Sequence, residues 1–246
     1  MFNLERLNPM ADKMIRPFLE EVLSKYDENL HSIYVTGTSL TDDFDLKNSD
    51  VNSIFVLKQM DLDFLKLMAP LGKKYRKSKV AAPLIMTPEY IERSVDVFPI
   101  EFLNFKLIHT AVFGDDILKD IEIGRMDLRH QCERELKTKL IWLRQSYISS
   151  MGNMKALGHG LAGSISGYIP LFRAVLTLFE KEPPIIQSQV MTALAETTGL
   201  KTDAFLSVLK KKREGIKLSK EELAVIFKDF YTATERLGEI VDEIKD

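Results

Sequence analysis

The 246-residue chain holds a single cysteine, Cys132, and a single tryptophan, Trp142. One thiol excludes an intramolecular disulfide framework and any metal site built from several cysteines, and it suits a reducing, cytoplasmic setting. Charge is nearly balanced, 34 basic against 36 acidic side chains for a net of −2. A protein that coats nucleic acid carries a clear basic excess, so nucleic acid is not an expected partner. The opening stretch "MFNLERLNPMADKMIRPFLEEVL" mixes both signs of charge and lacks an apolar core followed by small residues, so it does not read as a leader. No apolar run approaches the roughly 20 residues that cross a bilayer, and no membrane partner is expected. Gly-x-Gly-x-x-Gly and P-loop lysine motifs are both absent, as are internal repeats and low-complexity tracts. His31 and His109 have no companions at zinc spacing.

What is present has two rhythms. In the first half, helical and strand patterns alternate. "MADKMIRPFLEEVLSKY" spaces Met14, Phe18, Leu19, Val22 and Leu23 as one helix face, with Pro17 as a kink or first turn. "HSIYVT" and "VNSIFVLK" read as strands joined by an aspartate-rich connection. "DLDFLKLMAPLGKKY" is helical, with Asp61 or Asp63 as its cap, and "VAAPLIMT" is a third strand. "PEYIERS" is a short helix opened by proline, and "FPIEFLNFKL" reads as a fourth strand. From Arg125 onward strand signals stop. "DLRHQCERELKTKLIWLRQSYI" carries Leu128, Cys132, Leu136, Leu140 and Leu143 on one face. "GLAGSISGYIPLFRAVLTLFEK" is apolar enough to be the most buried helix. Gly199 ends the helix that follows the double proline, and Ser219 with Glu222 forms a capping box on the last one. The expected architecture is an α/β domain over residues 1–122, a mixed sheet with helices, followed by an all-α bundle over residues 123–246.

The chemistry concentrates in "YVTGTSLTDDFDLKNSDVNSIFVL". Transfer of a nucleotidyl group needs a gripped triphosphate and hard oxygen ligands for a divalent metal that bridges its phosphates. Gly37 lets backbone approach a phosphate, and Ser39 offers a hydroxyl. Asp50 and Asn52, at i and i+2 of a strand, share one face. Glu101 sits inside an apolar run, where a carboxylate without a partner is costly.

This stretch resembles the glycine-serine and Asp-x-Asp core of the nucleotidyltransferase superfamily, which includes polymerase β, kanamycin nucleotidyltransferase and the minimal nucleotidyltransferases. "FPIEFLNFKLIHTAVFGDDIL" is similar to the later strand of such domains, which brings a third acid and runs into a glycine turn and an acidic pair. The helical half resembles the C-terminal bundle of bacterial proteins of this kind. The likeness implies that Gly37, Thr38 and Ser39 hold the triphosphate, and that Asp50, Asn52 and Glu101 form the metal and catalytic set for Mg2+. It also implies an acceptor substrate bound at the domain interface, with the bundle helping to wall the cleft.

The departures weaken that chemistry. Asn52 is neutral where catalytic members carry a second aspartate, and Thr38 stands where serine is common. "LTDDFD" lacks the usual arginine-glycine pair and adds Asp42, Asp43 and Asp45, which form a solvated loop or supply replacement ligands. The basic run "LGKKYRKSK" is a helix end that could also steer an anion, and Arg125 with His130 has the loose Arg-x4-His spacing of some helical ribonuclease domains, a spacing common by chance. Three readings follow. The first is a magnesium-dependent enzyme moving a nucleoside monophosphate from NTP to an acceptor hydroxyl, weakened or inactive through Asn52. The second is a module that binds a nucleotide without turning it over, and the third a protein-interaction scaffold. The sequence names neither the base, the acceptor nor the oligomeric state.

Overall fold

The computed structural model describes residues 2–244. The chain divides into two compact units. One comprises residues through Val95 together with Phe102–Glu122, the other Asp96–Glu101 together with the chain from Ile123 onward.

The first unit runs α1 (Pro9–Leu23), β1 (Leu30–Thr36), β2 (Asn52–Leu57), α2 (Leu62–Tyr75), β3 (Leu84–Met86) and α3 (Pro88–Glu92). After α4 (Pro99–Leu107), which begins in the other unit, it closes with β4 (His109–Gly114). Asn8 caps α1 by accepting from the Met10 amide at 2.9 Å, and proline holds the first helical position. The helix continues through Pro17, and Ala11, Ile15, Phe18, Leu19 and Val22 line its buried face. Asp61 caps α2 as expected, accepting from the Asp63 amide at 2.8 Å.

The strands form one mixed sheet in the order β3-β2-β1-β4. β1 is antiparallel to both β2 and β4, while β2 and β3 run parallel. Strand side chains alternate between faces, and one face presents Ile33, Val35, Phe55, Leu57 and Val112 to the α1 and α2 stripes. Phe18 meets Phe55 edge-on at 5.9 Å between centroids. Each such side chain contributes roughly 1.5–3 kcal/mol through burial. Gly114 closes β4 in the left-handed region at φ 72°, and a Cβ there would stand 2.0 Å from the His31 carbonyl oxygen. Only glycine fits that approach.

One expected strand is a helix. "FPIEFLNFKL" forms α4, and the fourth strand begins later, at His109. Pro99 supplies the first-turn φ, and the buried Ile100 and Leu103 repeat at helical spacing. A short apolar run fits either period, and here the proline decides.

The second unit contains α5 (Arg125–Ser149), α6 (Met154–Ser164), α7 (Tyr168–Leu178), α8 (Gln187–Thr198), α9 (Asp203–Glu214) and α10 (Lys220–Asp242). Tyr168, Phe172, Phe205 and Phe230 interlock at its centre, with centroid separations of 4.6–5.7 Å. Gly199 ends α8 in the left-handed region, and Ser219 and Glu222 close the capping box on α10. By length and composition, Met154–Leu178 could cross a bilayer, which corrects the sequence reading on apolar runs. Most of that stretch is buried inside this unit, and a 3₁₀ turn at Ile165–Gly167 interrupts it.

Candidate functional site

β1 and β2 meet in a register that pairs Thr36 with Asn52, and β1 with β4 in a register that pairs Thr36 with His109. Directly opposed strand residues share a face. Asn52, Thr36 and His109 therefore form one row across three strands, on the face away from α1 and α2. Asp50 and Asn52 are both exposed, while Val51 between them is buried in the core on the opposite face. The alternation expected of Asp-Val-Asn is present.

Beyond Thr36 the chain turns through a 3₁₀ segment, Gly37–Leu40. Gly37 adopts φ 77°, and its amide donates to the Ile108 carbonyl at 3.2 Å. A Cβ at Gly37 would lie 3.8 Å from Asn52 Nδ2 and would touch nothing else within 4 Å. The Gly-Thr-Ser turn thus stands directly over Asn52. Ser39 is buried, its hydroxyl donates to the Thr36 carbonyl at 3.2 Å, and its own carbonyl accepts from the Asn8 amide at 2.9 Å. The Thr38 side chain is half-buried, and among the described residues its hydroxyl has no partner. The hydroxyl left available at this turn is therefore that of Thr38, not Ser39.

The acidic connection is ordered by its own side chains. Asp45 accepts from the Lys47 amide at 2.8 Å and from Asn48 Nδ2 at 2.6 Å, and its amide donates to Ser49 Oγ at 3.0 Å. Those bonds, the Lys47 amide foremost, hold the Asp45 carboxyl below the usual range. Asp43 is buried and Asp42 exposed. The basic run ends beside this loop. Val51 donates to the Lys79 carbonyl at 2.8 Å, and Lys79 Nζ donates to the Lys47 carbonyl. Lys74 is taken up elsewhere, by Glu21 at 2.6 Å.

Glu101 does not lie on the sheet. It is exposed in the first turn of α4, within the second unit, and accepts from Gln131 Nε2 at 2.8 Å. Gln131 also accepts from the Ile100 amide at 2.7 Å, so Glu101 belongs to a clasp between α4 and α5. This overturns the expectation that Glu101 projects from a strand out of a costly apolar setting. On β3, the strand flanking β2, the position opposite Ile54 is Leu84, and it shares the face of Asn52. Leu84 is 47% exposed, so the neighbouring strand offers an apolar side chain on this face.

At this end of β2, Asp50 offers a carboxylate and Asn52 an amide. No group of three His, Cys, Asp or Glu side chains suited to a metal ion occurs among the described residues. A magnesium ion bridging phosphates needs several hard oxygens, and this protein set does not fit a metal held by side chains alone.

At the other end of the row stands His109, which by sequence either faces the cleft or, more in keeping with its surroundings, packs. His109, 9% exposed, pairs through Nε2 with Asp116 at 2.8 Å and stacks edge-on with Tyr34 at 5.6 Å. Tyr34 Oη accepts from Ser32 Oγ and the Ile117 amide and donates to the Asp115 carbonyl at 2.6 Å. Burial is the first cause raising the Tyr34 pKa, so it remains a phenol. The acidic pair Asp115-Asp116 therefore fastens β4 to β1. What the structure corrects is its element: His109 opens the strand "HTAVFG" and does not follow one.

No protein-family model matches the chain, and no curated protein does. Among solved structures, it is similar to a spectinomycin adenyltransferase from Enterococcus faecialis, solved with ATP and spectinomycin. The TM-score is 0.55 at 16% identity, covering 92% of this chain and 98% of the other. A nucleotidyltransferase-like protein from Exiguobacterium sibiricum matches with a TM-score of 0.37 at 13% identity, over 93% of this chain and 74% of that one. The adenyltransferase shares the fold: a small mixed sheet with helices, then a helical region.

Proposed function

We propose that this chain is a nucleotidyltransferase-like protein that binds a nucleoside triphosphate over the Gly37–Asn52 corner and transfers its nucleotidyl group weakly or not at all. The observation that carries this reading is the turn of Gly37 beside Asn52, with the exposed Asp50 two residues before it. In such an arrangement the Thr38 hydroxyl faces the phosphates, and Gly37 sets no side chain between them and Asn52. The fold shared with an adenyltransferase solved with ATP supports a nucleotide as the ligand. Asp50, exposed beside Asn52, is the acid that would serve a metal. Asn52 contributes an amide without charge, and Leu84 adds nothing on the flanking strand. In-line transfer relies on neutralising charge on the phosphates and activating the acceptor hydroxyl. A corner with one carboxylate supports binding better than turnover.

The test is a transfer assay with each α-labelled nucleoside triphosphate, alongside binding measured for the parent and for Asp50→Ala and Thr38→Val. Both substitutions are expected to weaken binding. Asp50→Ala should remove any dependence on magnesium, and Thr38→Val should cost roughly ten-fold through one lost hydrogen bond to a charged group. Full binding by both variants would place the ligand elsewhere.

A further inference from the structure

The helical unit carries a second cluster that the nucleotide reading does not use. At the 3₁₀ turn Ile165–Gly167, between α6 and α7, two lysines converge from different helices. Lys139 of α5 places Nζ 3.5 Å from where a Gly167 Cβ would stand, and 4.7 Å from the centroid of the Tyr168 ring. Lys212 of α9 donates through Nζ to Ser166 Oγ. Ser166 and Gly167 themselves are exposed.

Charge at this corner is not balanced. Among the described residues Lys139 has one acidic partner, Glu135, at 3.7 Å, and its side chain is only 17% exposed. Lys212 has no acidic partner among the described residues. Burial is the first cause lowering both amine pKa values below the usual lysine range. Lys212 is thus a partly desolvated ammonium without a counter-ion, and that cost is relieved when an anion accepts charge-assisted hydrogen bonds. Gly167 carries no side chain to block the approach. The Ser166 hydroxyl, which accepts from Lys212, keeps its own proton to donate.

We infer that Lys139, Lys212 and Ser166 form an oxyanion-binding corner that takes a phosphate or carboxylate group of a small ligand. Each ammonium group donates charge-assisted hydrogen bonds to the oxygens, and the Ser166 hydroxyl donates beside Lys212. The site lies wholly within the helical unit and stands whether or not the Gly37–Asn52 corner binds nucleotide.

Amide spectra of the full chain test this directly. The 15N-labelled protein is titrated with sodium phosphate, with sodium acetate, and with sodium chloride at matched ionic strength. Saturable shifts at the Ser166, Gly167 and Tyr168 amides are expected with an oxyanion and not with chloride. A response to phosphate alone identifies a phosphate group as the ligand chemistry, and a response to acetate as well extends it to carboxylates. Lys139→Gln and Lys212→Gln should each weaken the response roughly ten-fold. Lys201→Gln, elsewhere on the same unit, should leave it unchanged. Lys212 is the less buried of the pair, so its variant decides the matter if Lys139→Gln fails to fold. Equal shifts with chloride, or a Lys212→Gln protein that titrates like the parent, would overturn the assignment.

Discussion

At the scale of single residues, position 52 governs the corner. Replacing an amide by a carboxylate adds charge where a magnesium-bound triphosphate would sit, and ligand charge count tunes divalent-ion affinity. Asn52→Asp is therefore expected to tighten binding of the magnesium complex while leaving metal-free nucleotide unaided. Gly114 is the other sensitive residue. Gly114→Ala sets a Cβ at 2.0 Å from the His31 carbonyl oxygen in a left-handed backbone, so β4 must move away from β1. A loss of about 2–4 kcal/mol in denaturant unfolding is expected, and an unchanged midpoint would contradict the close approach. Much of this corner was legible in the sequence. A strand fixes that Asp50 and Asn52 share a face, and a glycine after a β-branched strand marks a turn. Which of Thr38 and Ser39 keeps a free hydroxyl was not legible, because the 3₁₀ turn rotates Ser39 inward onto the Thr36 carbonyl.

Among elements, caps and clasps set what can be measured. Ser219→Ala removes the hydrogen bond to the Glu222 amide and should lower stability by about 1 kcal/mol. A clamp between α1 and α2 gives a pH signature. Glu21 accepts from Lys25, Lys74 and Tyr75, and these bonds hold its carboxyl at about 2. Because the folded pKa is depressed, its stabilisation is complete above the ordinary glutamate range and fades as pH falls toward about 2. Urea unfolding of the parent and Glu21→Gln should differ at neutral pH and converge in acid, with the gap shrinking in salt. A gap that persists unchanged into acid would show that the clamp acts by packing alone. The elements read correctly from sequence were those with caps or clear periods, α1, α2, α8 and α10 among them. α4 was misread because Phe98 to Leu107 has apolar residues compatible with both periods. Glu101 went with it: a carboxylate placed by a strand becomes, on a helix, a partner for Gln131.

For the whole molecule, two cores answer to different substitutions. The helical unit depends on its ring cluster, and Phe205→Ala is expected to cost about 3–5 kcal/mol, read as a lowered unfolding midpoint. The sheet unit depends on the α1 and α2 stripes and presents the Gly37–Asn52 corner on its other face. The proposed function rests on that corner, within a fold held in common with an adenyltransferase and with Asn52 where a second aspartate is expected. Calorimetric titration of ATP, with magnesium and with chelator, into the parent and Asn52→Asp measures this most directly. Binding by the parent, and a roughly ten-fold tighter magnesium-dependent binding by the variant, is the predicted result. No binding by either protein under either condition would contradict the account.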